Sequence, residues 1–302
     1  MRTFRLAALA ATALLTLGAC GGDPLQEDDG SASAAAGGPL VVGSADFTEN
    51  IILAEIYAQA LEAAGVQTET NLNIGSRETY IPGLRDGSID LIPEYTGALL
   101  VYLEEDATPS GSEEVYAALQ DALPESLTVL EPSDAEDKDA LVVTQETAEQ
   151  YDLEAIPDLK GVAGDLVLGG PPEFQDRVQG VLGLRDVYGI EFSDFQELDT
   201  GTLSVTGLQD GDVDVANIFT TNPAIEVNDF VVLEDPEDLF SAQNIVPLIR
   251  SDRLTDEAES TLNEVSDALT TEGVTELIRR VDIDKENPDD VAGSWLEDNG
   301  LV

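Results

Sequence analysis

Leu84-Arg85-Asp86-Gly87-Ser88-Ile89-Asp90-Leu91 is answered later in the chain by Leu208-Gln209-Asp210-Gly211-Asp212-Val213-Asp214-Val215. Both octamers read as a helix end, a glycine stop and a short apolar strand, since glycine tolerates the left-handed conformation at which helices finish. Each has a matching strand and turn upstream: Leu40-Val41-Val42 leads into Gly43-Ser44-Ala45-Asp46-Phe47-Thr48, and Leu166-Val167-Leu168 into Gly169-Gly170-Pro171-Pro172-Glu173-Phe174. Gly43 precedes Leu84 by 41 residues (84 − 43), and Gly169 precedes Leu208 by 39 (208 − 169). Apolar residues at helical spacing follow both turns, Ile52, Ile56 and Ala60 after the first, Val178, Val181 and Leu182 after the second.

The repetition predicts two α/β lobes of similar topology, residues 40–140 with 244–302 and residues 141–243. Each should hold a mostly parallel sheet flanked by helices and receive ligand at the carboxyl ends of its strands. The helical stretch 255–302 is too small for a lobe and should pack back on the first. Two chain crossings, near Leu141–Thr144 and Asn244–Leu248, then form a hinge.

The chain opens MRTFRLAALAATALLTLGAC, with Arg2 and Arg5 before an apolar run from Leu6 to Leu17 and small residues before Cys20. This reads as a secretory signal peptide over residues 1–19, too short to span a bilayer. The sole cysteine directly follows Leu17-Gly18-Ala19, which resembles a bacterial lipobox, so Cys20 is expected to carry a lipid anchor. Residues 20–39 are small and acidic without periodicity, a flexible tether.

The 302 residues carry 62 Asp and Glu against 13 Lys and Arg, a formal net charge of −49. Phosphate contacts need a cationic face, so nucleic acid is excluded as a partner. The absence of His removes His-based triads and His-ligated zinc, and one Cys removes intrachain disulfides. At this charge the surface repels itself at low salt. The Debye length falls from about 10 Å at 0.1 M to about 3 Å at 1 M, which points to tuning for a saline exterior. Acid runs such as Glu234-Asp235-Pro236-Glu237-Asp238 offer oxygen ligands to calcium, but no segment has EF-hand spacing. No metal and no cofactor are expected.

GSADFTENIILAE at 43–55, IDLIPEYTGALL at 89–100, GLQDGDVDVANIFTT at 207–221 and VVLEDPEDLF at 231–240 resemble the substrate-binding proteins of ABC importers for quaternary ammonium compounds such as glycine betaine, choline and carnitine. The likeness spans about residues 40–300. It implies the type II fold of periplasmic binding proteins, two lobes closing by a hinge on a solute, with no catalysis. It also implies docking on the permease subunits of an ABC importer at the extracytoplasmic face of the bacterial membrane, with the membrane touched only through the lipid and the protein a monomer. In this family a methylated ammonium sits among tyrosines, whose π faces attract a cation that donates no ordinary hydrogen bonds.

By that resemblance, Tyr95 of PEYTG matches a cage tyrosine, and Arg177 matches an arginine that in some members holds the solute's carboxylate. Asp139, Val205 and Asn228 stand at other cage positions, none of them aromatic, and Ala45 and Ala98 replace residues that are often polar. Ser44, Asp46, Thr48, Asn50, Asp137, Asp139, Asn217, Thr220, Thr221 and Asn222, with Tyr80, remain as cleft candidates. Asp139 would pair with a ligand ammonium in place of the missing ring. Two other readings stay open: a receptor of the same fold for another small zwitterion or amino-acid-like solute, and a secreted hydrolase using two carboxylates.

Overall fold

Among the described residues, ten strands form two sheets with the same plan. The first contains β1 (Leu40–Gly43), β2 (Thr68–Asn71), β3 (Leu91–Tyr95), β4 (Leu127–Val129) and β10 (Ile245–Arg250); the second contains β5 (Asp139–Val143), β6 (Val167–Gly170), β7 (Asp194–Glu197), β8 (Val215–Phe219) and β9 (Val231–Val232). The computed structural model describes residues 38–199 and 201–302. The expected signal peptide, Cys20 and nearly all of the tether lie outside the described residues.

The strand orders are β2-β1-β3-β10-β4 and β7-β6-β8-β5-β9. In each sheet the strand in the second position, β1 or β6, runs parallel to both neighbours, and the fourth position is held by a strand antiparallel to both of its own. Four of five strands therefore share one direction, as the alternation of strand and helix predicts. The antiparallel members, β5 and β10, are the strands that the chain lays down on entering the second sheet and on returning to the first.

The repeated octamers occupy equivalent places. Gly87 (φ 82°) ends α2 (Arg77–Asp86), and Gly211 (φ 73°) ends the helix Thr202–Asp210. The second aspartate of each octamer then clips two strands together. Asp90 Oδ2 accepts from Val41 N at 3.0 Å, and Asp214 Oδ2 accepts from Val167 N at 2.8 Å. Their own N–H groups return to the carbonyls of Val41 and Val167. Gly43 and Gly169 match as well: a Cβ on either would lie 2.8 Å from an apolar side chain, Ile89 or Leu198.

Helix α1 (Thr48–Ala63) packs against three C-terminal helices, Asp256–Ala268, Thr271–Asp282 and Pro288–Asn299. Ile52, Leu53, Ile56 and Tyr57 bury there with Leu262, Leu277 and Leu296. Full burial of each such side chain is worth about 1.5–3 kcal/mol, which is what fastens the C-terminal segment. The other face of the first sheet buries Ile81, Leu84, Leu99 and Leu119, and the second sheet has its own core around Leu141, Leu168, Phe174 and Val215.

The stretches expected as crossings, 141–144 and 244–248, largely coincide with β5 and β10, because ALVV and IVPLI are apolar runs that pair in sheets. The connecting straps lie just ahead of them and pair with each other: Ser133 N donates to Ile245 O at 2.9 Å, Ile245 N to Ala135 O at 3.0 Å and Asp137 N to Gln243 O at 3.1 Å. Asp139, which the expected lobe boundary at residue 140 leaves in the first lobe, is the first residue of β5 and pairs with Phe219 in the second sheet.

Candidate ligand-binding site

Strand ends bring the chemistry together. Tyr95 closes β3, Phe219 closes β8, and the turns after β1 and β6 present Asp46-Phe47 and Pro171-Pro172. Between the sheets they enclose a cavity of about 340 Å³. The first lobe lines it with Ala45, Asp46, Phe47, Ser76, Arg77, Tyr80, Tyr95 and Ala98. The second supplies Asp139, Pro171, Pro172, Glu173, Arg177, Leu198, Asp199 and Phe219, and the straps add Asp137 and Gln243.

Three rings run across the cleft. Phe47 lies 6.1 Å from Tyr95 and 5.3 Å from Phe219 between centroids, both pairs tilted. Phe47, at the N-terminus of α1 in the first lobe, thereby meets a ring of the second. Such pairs contribute about 0.5–1.5 kcal/mol beyond their area, and their faces are the natural surface for a cation.

Beneath the rings, the fully buried Glu94 gathers four donors. Its carboxylate accepts from Arg77 Nε at 2.8 Å, Arg77 Nη2 at 2.7 Å, Tyr80 Oη at 2.9 Å and Tyr95 N at 2.9 Å. The bidentate pair fixes the Arg77 plane, and removing either partner of such a buried pair costs about 3–5 kcal/mol. Arg77, Tyr80 and the backbone of Tyr95 are thus held by one carboxylate.

A second buried constellation spans the lobes beside the straps. Thr221 Oγ1 lies 2.6 Å from Glu49 Oε2 and 2.9 Å from Asp137 Oδ1, and Tyr95 Oη donates to Glu49 Oε1 at 2.7 Å. One hydroxyl proton cannot serve two carboxylates, so the arrangement requires a proton on one of the acids. Burial pushes Glu49 up to about 7, against the hydrogen bonds from Thr221 and Tyr95. Asp137 is also raised well above the usual carboxylate range, by burial and then by the Glu49 charge.

At the cleft wall, Arg177 reaches from the second lobe to Glu78 of the first, with Nη2 3.1 Å from Oε2 and 3.2 Å from Oε1. Partial burial pushes Glu78 upward, but hydrogen bonds from Ser76 and Arg177 outweigh it and hold the carboxyl down to about 2. Burial raises Asp139, whose Oδ1 accepts from Asn217 Nδ2 at 2.9 Å. Gln243 on the second strap accepts from Ala98 N at 2.8 Å. Its Nε2 has no partner among the described residues.

Residues 38–298 match the family model described as the substrate binding domain of ABC-type glycine betaine transport system. The chain belongs to this family. It is accordingly the substrate-binding component of an ABC-type transport system of the glycine betaine family, and not an enzyme. The glycine-betaine-binding protein of Pseudomonas aeruginosa is 26% identical over 279 residues, 87% of this chain and 88% of that one. The carnitine transport binding protein OpuCC of Listeria monocytogenes is 24% identical over 265 residues, 85% of this chain and 86% of that one. Among solved structures, one described as a glycine betaine/carnitine/choline ABC transporter aligns with a TM-score of 0.69 at 22% identity, covering 87% of this chain and 99% of that chain, and shares the fold.

Of the residues singled out in the sequence of this family member, Asp46, Tyr80, Tyr95, Asp137, Asp139 and Arg177 line the cavity. Others stand behind it. Asn50 anchors the Ala45 turn, its Oδ1 accepting from Ala45 N at 2.8 Å and its Nδ2 donating to Pro93 O at 3.0 Å. Ser44 accepts from Asn73 N, and Asn217 supports Asp139. Thr221 joins the buried acids, while Thr48 donates to Asp282 at 2.8 Å on the edge of α1. Thr220 accepts from Lys138 N and Asn222 from Ala224 N. Val205 packs in the second lobe and Asn228 bonds to Ala224, both away from the cavity lining.

Sequence reading missed Phe47, Arg77, Gln243 and Phe219 in the lining, and Glu49 and Glu94 behind it. The ring count was underestimated because the aromatics come from other positions, a turn and a strand end. The available signal was placement: both phenylalanines stand at the carboxyl end of a strand, where ligands are met in α/β folds.

Proposed function

We propose that the cleft between the two sheets captures a small quaternary-ammonium solute of the choline or betaine kind and that closure about the paired straps precedes its delivery to ABC importer permease subunits. The observation that carries this reading is the aromatic run Phe47, Tyr95 and Phe219 at a cavity that is also lined by the acidic side chains of Asp46, Glu173 and Asp199. A cation without N–H donors is held by ring faces and by nearby negative charge, and this lining offers both. The volume, about 340 Å³, lies in the lower part of the range for small-molecule sites, about 300–1,000 Å³, which suits a compact solute.

Because the wall residues come from both lobes, a bound solute favours whichever arrangement lets both touch it. We read residues 1–19 as a signal peptide and Cys20 as the lipidated residue that tethers the protein to the outer face of the membrane. Small-angle scattering with and without choline tests capture and closure together. A smaller radius of gyration at saturating choline is expected, and unchanged curves with no heat in a parallel titration contradict the reading.

The same reading covers the surface. With 62 acidic residues against 13 basic ones, self-repulsion is strong at low salt. The melting midpoint is expected to climb steadily from 0.05 M to 1 M sodium chloride; a flat series removes the saline-exterior interpretation.

A further inference from the structure

Besides the phenols of Tyr80 and Tyr95, the cavity lining carries carboxyls from Asp46, Asp137, Asp139, Glu173 and Asp199 and guanidiniums from Arg77 and Arg177. Both guanidiniums already have carboxylate partners outside the lining. Arg77 is paired bidentately with the buried Glu94 at 2.7 Å, and Arg177 is paired with Glu78 at 3.1 Å. Glu173 also stands 3.9 Å from Arg177. Among the described residues, a ligand carboxylate entering this cleft meets only guanidiniums already paired with a carboxylate, whereas a ligand cation finds several acids. Burial raises Asp137 and Asp139, which weakens the negative potential, but a protonated carboxyl is neutral and cannot reverse its sign.

We propose that Glu78 is a specificity-determining residue: by occupying Arg177 from the opposite lobe it withholds the more exposed of the two guanidiniums from the solute, so that the site selects a net cation over a zwitterion of the same shape. The two pairs differ in how firmly they hold. The Glu94–Arg77 pair is buried, while in the other the side chains of Arg177 and Glu78 are 29% and 46% exposed. Only the second lies where a solute carboxylate can compete for the guanidinium. Its planar fork matches a carboxylate, so its availability alone changes which end groups are accepted. The pair also bridges the two lobes, so the same contact that blocks the carboxylate subsite holds the cleft walls together.

This inference rests on the quaternary-ammonium reading of the cleft and goes further by assigning the ligand's net charge to one residue. Choline and glycine betaine test it, since they share the trimethylammonium head and differ in a hydroxymethyl against a carboxylate. Titration calorimetry on the full mature chain is expected to show choline bound at least tenfold more tightly than glycine betaine. In Glu78→Gln, which keeps the side-chain volume at a partly exposed position, the ratio should move toward glycine betaine by tenfold or more. Adding Arg177→Gln to Glu78→Gln should cancel that gain, a result that altered folding alone does not produce.

A wild-type preference for glycine betaine, or a ratio unchanged within twofold in Glu78→Gln, overturns the role of Glu78 while leaving the cleft reading intact. Failure of the wild type to bind either compound overturns the cleft reading and the inference with it.

Discussion

Tyr95→Ala is expected to weaken choline binding about a hundredfold, measured by titration calorimetry at neutral pH. The side chain ends β3, lines the cavity and stands 6.1 Å from Phe47, so its removal takes away one ring face and loosens the next. A desolvated cation–π contact is worth about 2 kcal/mol, and with the lost apolar burial this approaches the roughly 2.7 kcal/mol that a hundredfold change requires. The truncation also strips Glu49 of its phenolic donor, so some loss of melting temperature should accompany it. Tyr95→Phe separates the effects: it keeps the ring and should hold choline affinity within a few-fold, while removing the hydrogen bond to Glu49. Equal affinity in the alanine variant and the wild type would exclude Tyr95 from the cation subsite.

The second large effect concerns the buried acids beneath that ring. Glu49 is pushed from 4.5 to about 7 by burial, so the folded protein keeps a proton that the unfolded chain has released between those limits. Below pH 4.5 both states hold the proton and the group contributes no difference. From there to about pH 7 the folded state binds more protons than the unfolded, so stability falls as pH rises, by on the order of 3 kcal/mol at about 1.36 kcal/mol per unit. Above that the full penalty is in place. Asp137, raised by burial and by the Glu49 charge, adds in the same direction, and Tyr95, Asp139 and Thr221 are the other polar groups around the pair.

Glu49→Gln removes the ionisation and keeps an acceptor for Tyr95 Oη. Its melting temperature should therefore fall less between pH 5 and pH 8 than that of the wild type, leaving the variant several degrees more stable at pH 8. The comparison cancels the contribution of the acidic surface, which both proteins share. Parallel pH series for the two proteins would show that Glu49 is ionised in the folded state throughout.

These sites differ in how legible they are from the chain. The two-sheet plan was readable because the Leu-x-Asp-Gly octamers encode local events: a left-handed glycine that stops a helix, then an aspartate that clips the next strand to its neighbour. A place for Tyr95 in the cavity lining was readable from PEYTG. Phe47 was not, since Asp46-Phe47-Thr48 reads as a polar turn, and only the arrival of Phe219 from the other sheet makes it part of an aromatic run.

Glu49 looks like an ordinary first-turn acid of α1, favoured there by the helix dipole. Its role appears only where Asp137 from a strap and Thr221 from beyond β8 converge on it. Arg77 and Glu94 likewise read as two surface charges 17 residues apart until the fold buries them together. Asp139 heads the apolar run ALVV, and only the fold shows that it lines the cavity with a partner in Asn217. Local signals fix elements; convergence of distant segments sets the chemistry of the cleft.

The central claim is that a trimethylammonium head lodges between the lobes against the aromatic run. A crystal structure of the protein grown with choline tests it most directly. The account predicts ligand density in the inter-sheet cavity with the nitrogen within about 6 Å of the ring centroids of Tyr95 and Phe47 or Phe219. Choline bound outside that cavity, or a cleft closed over water alone at saturating choline, would contradict it.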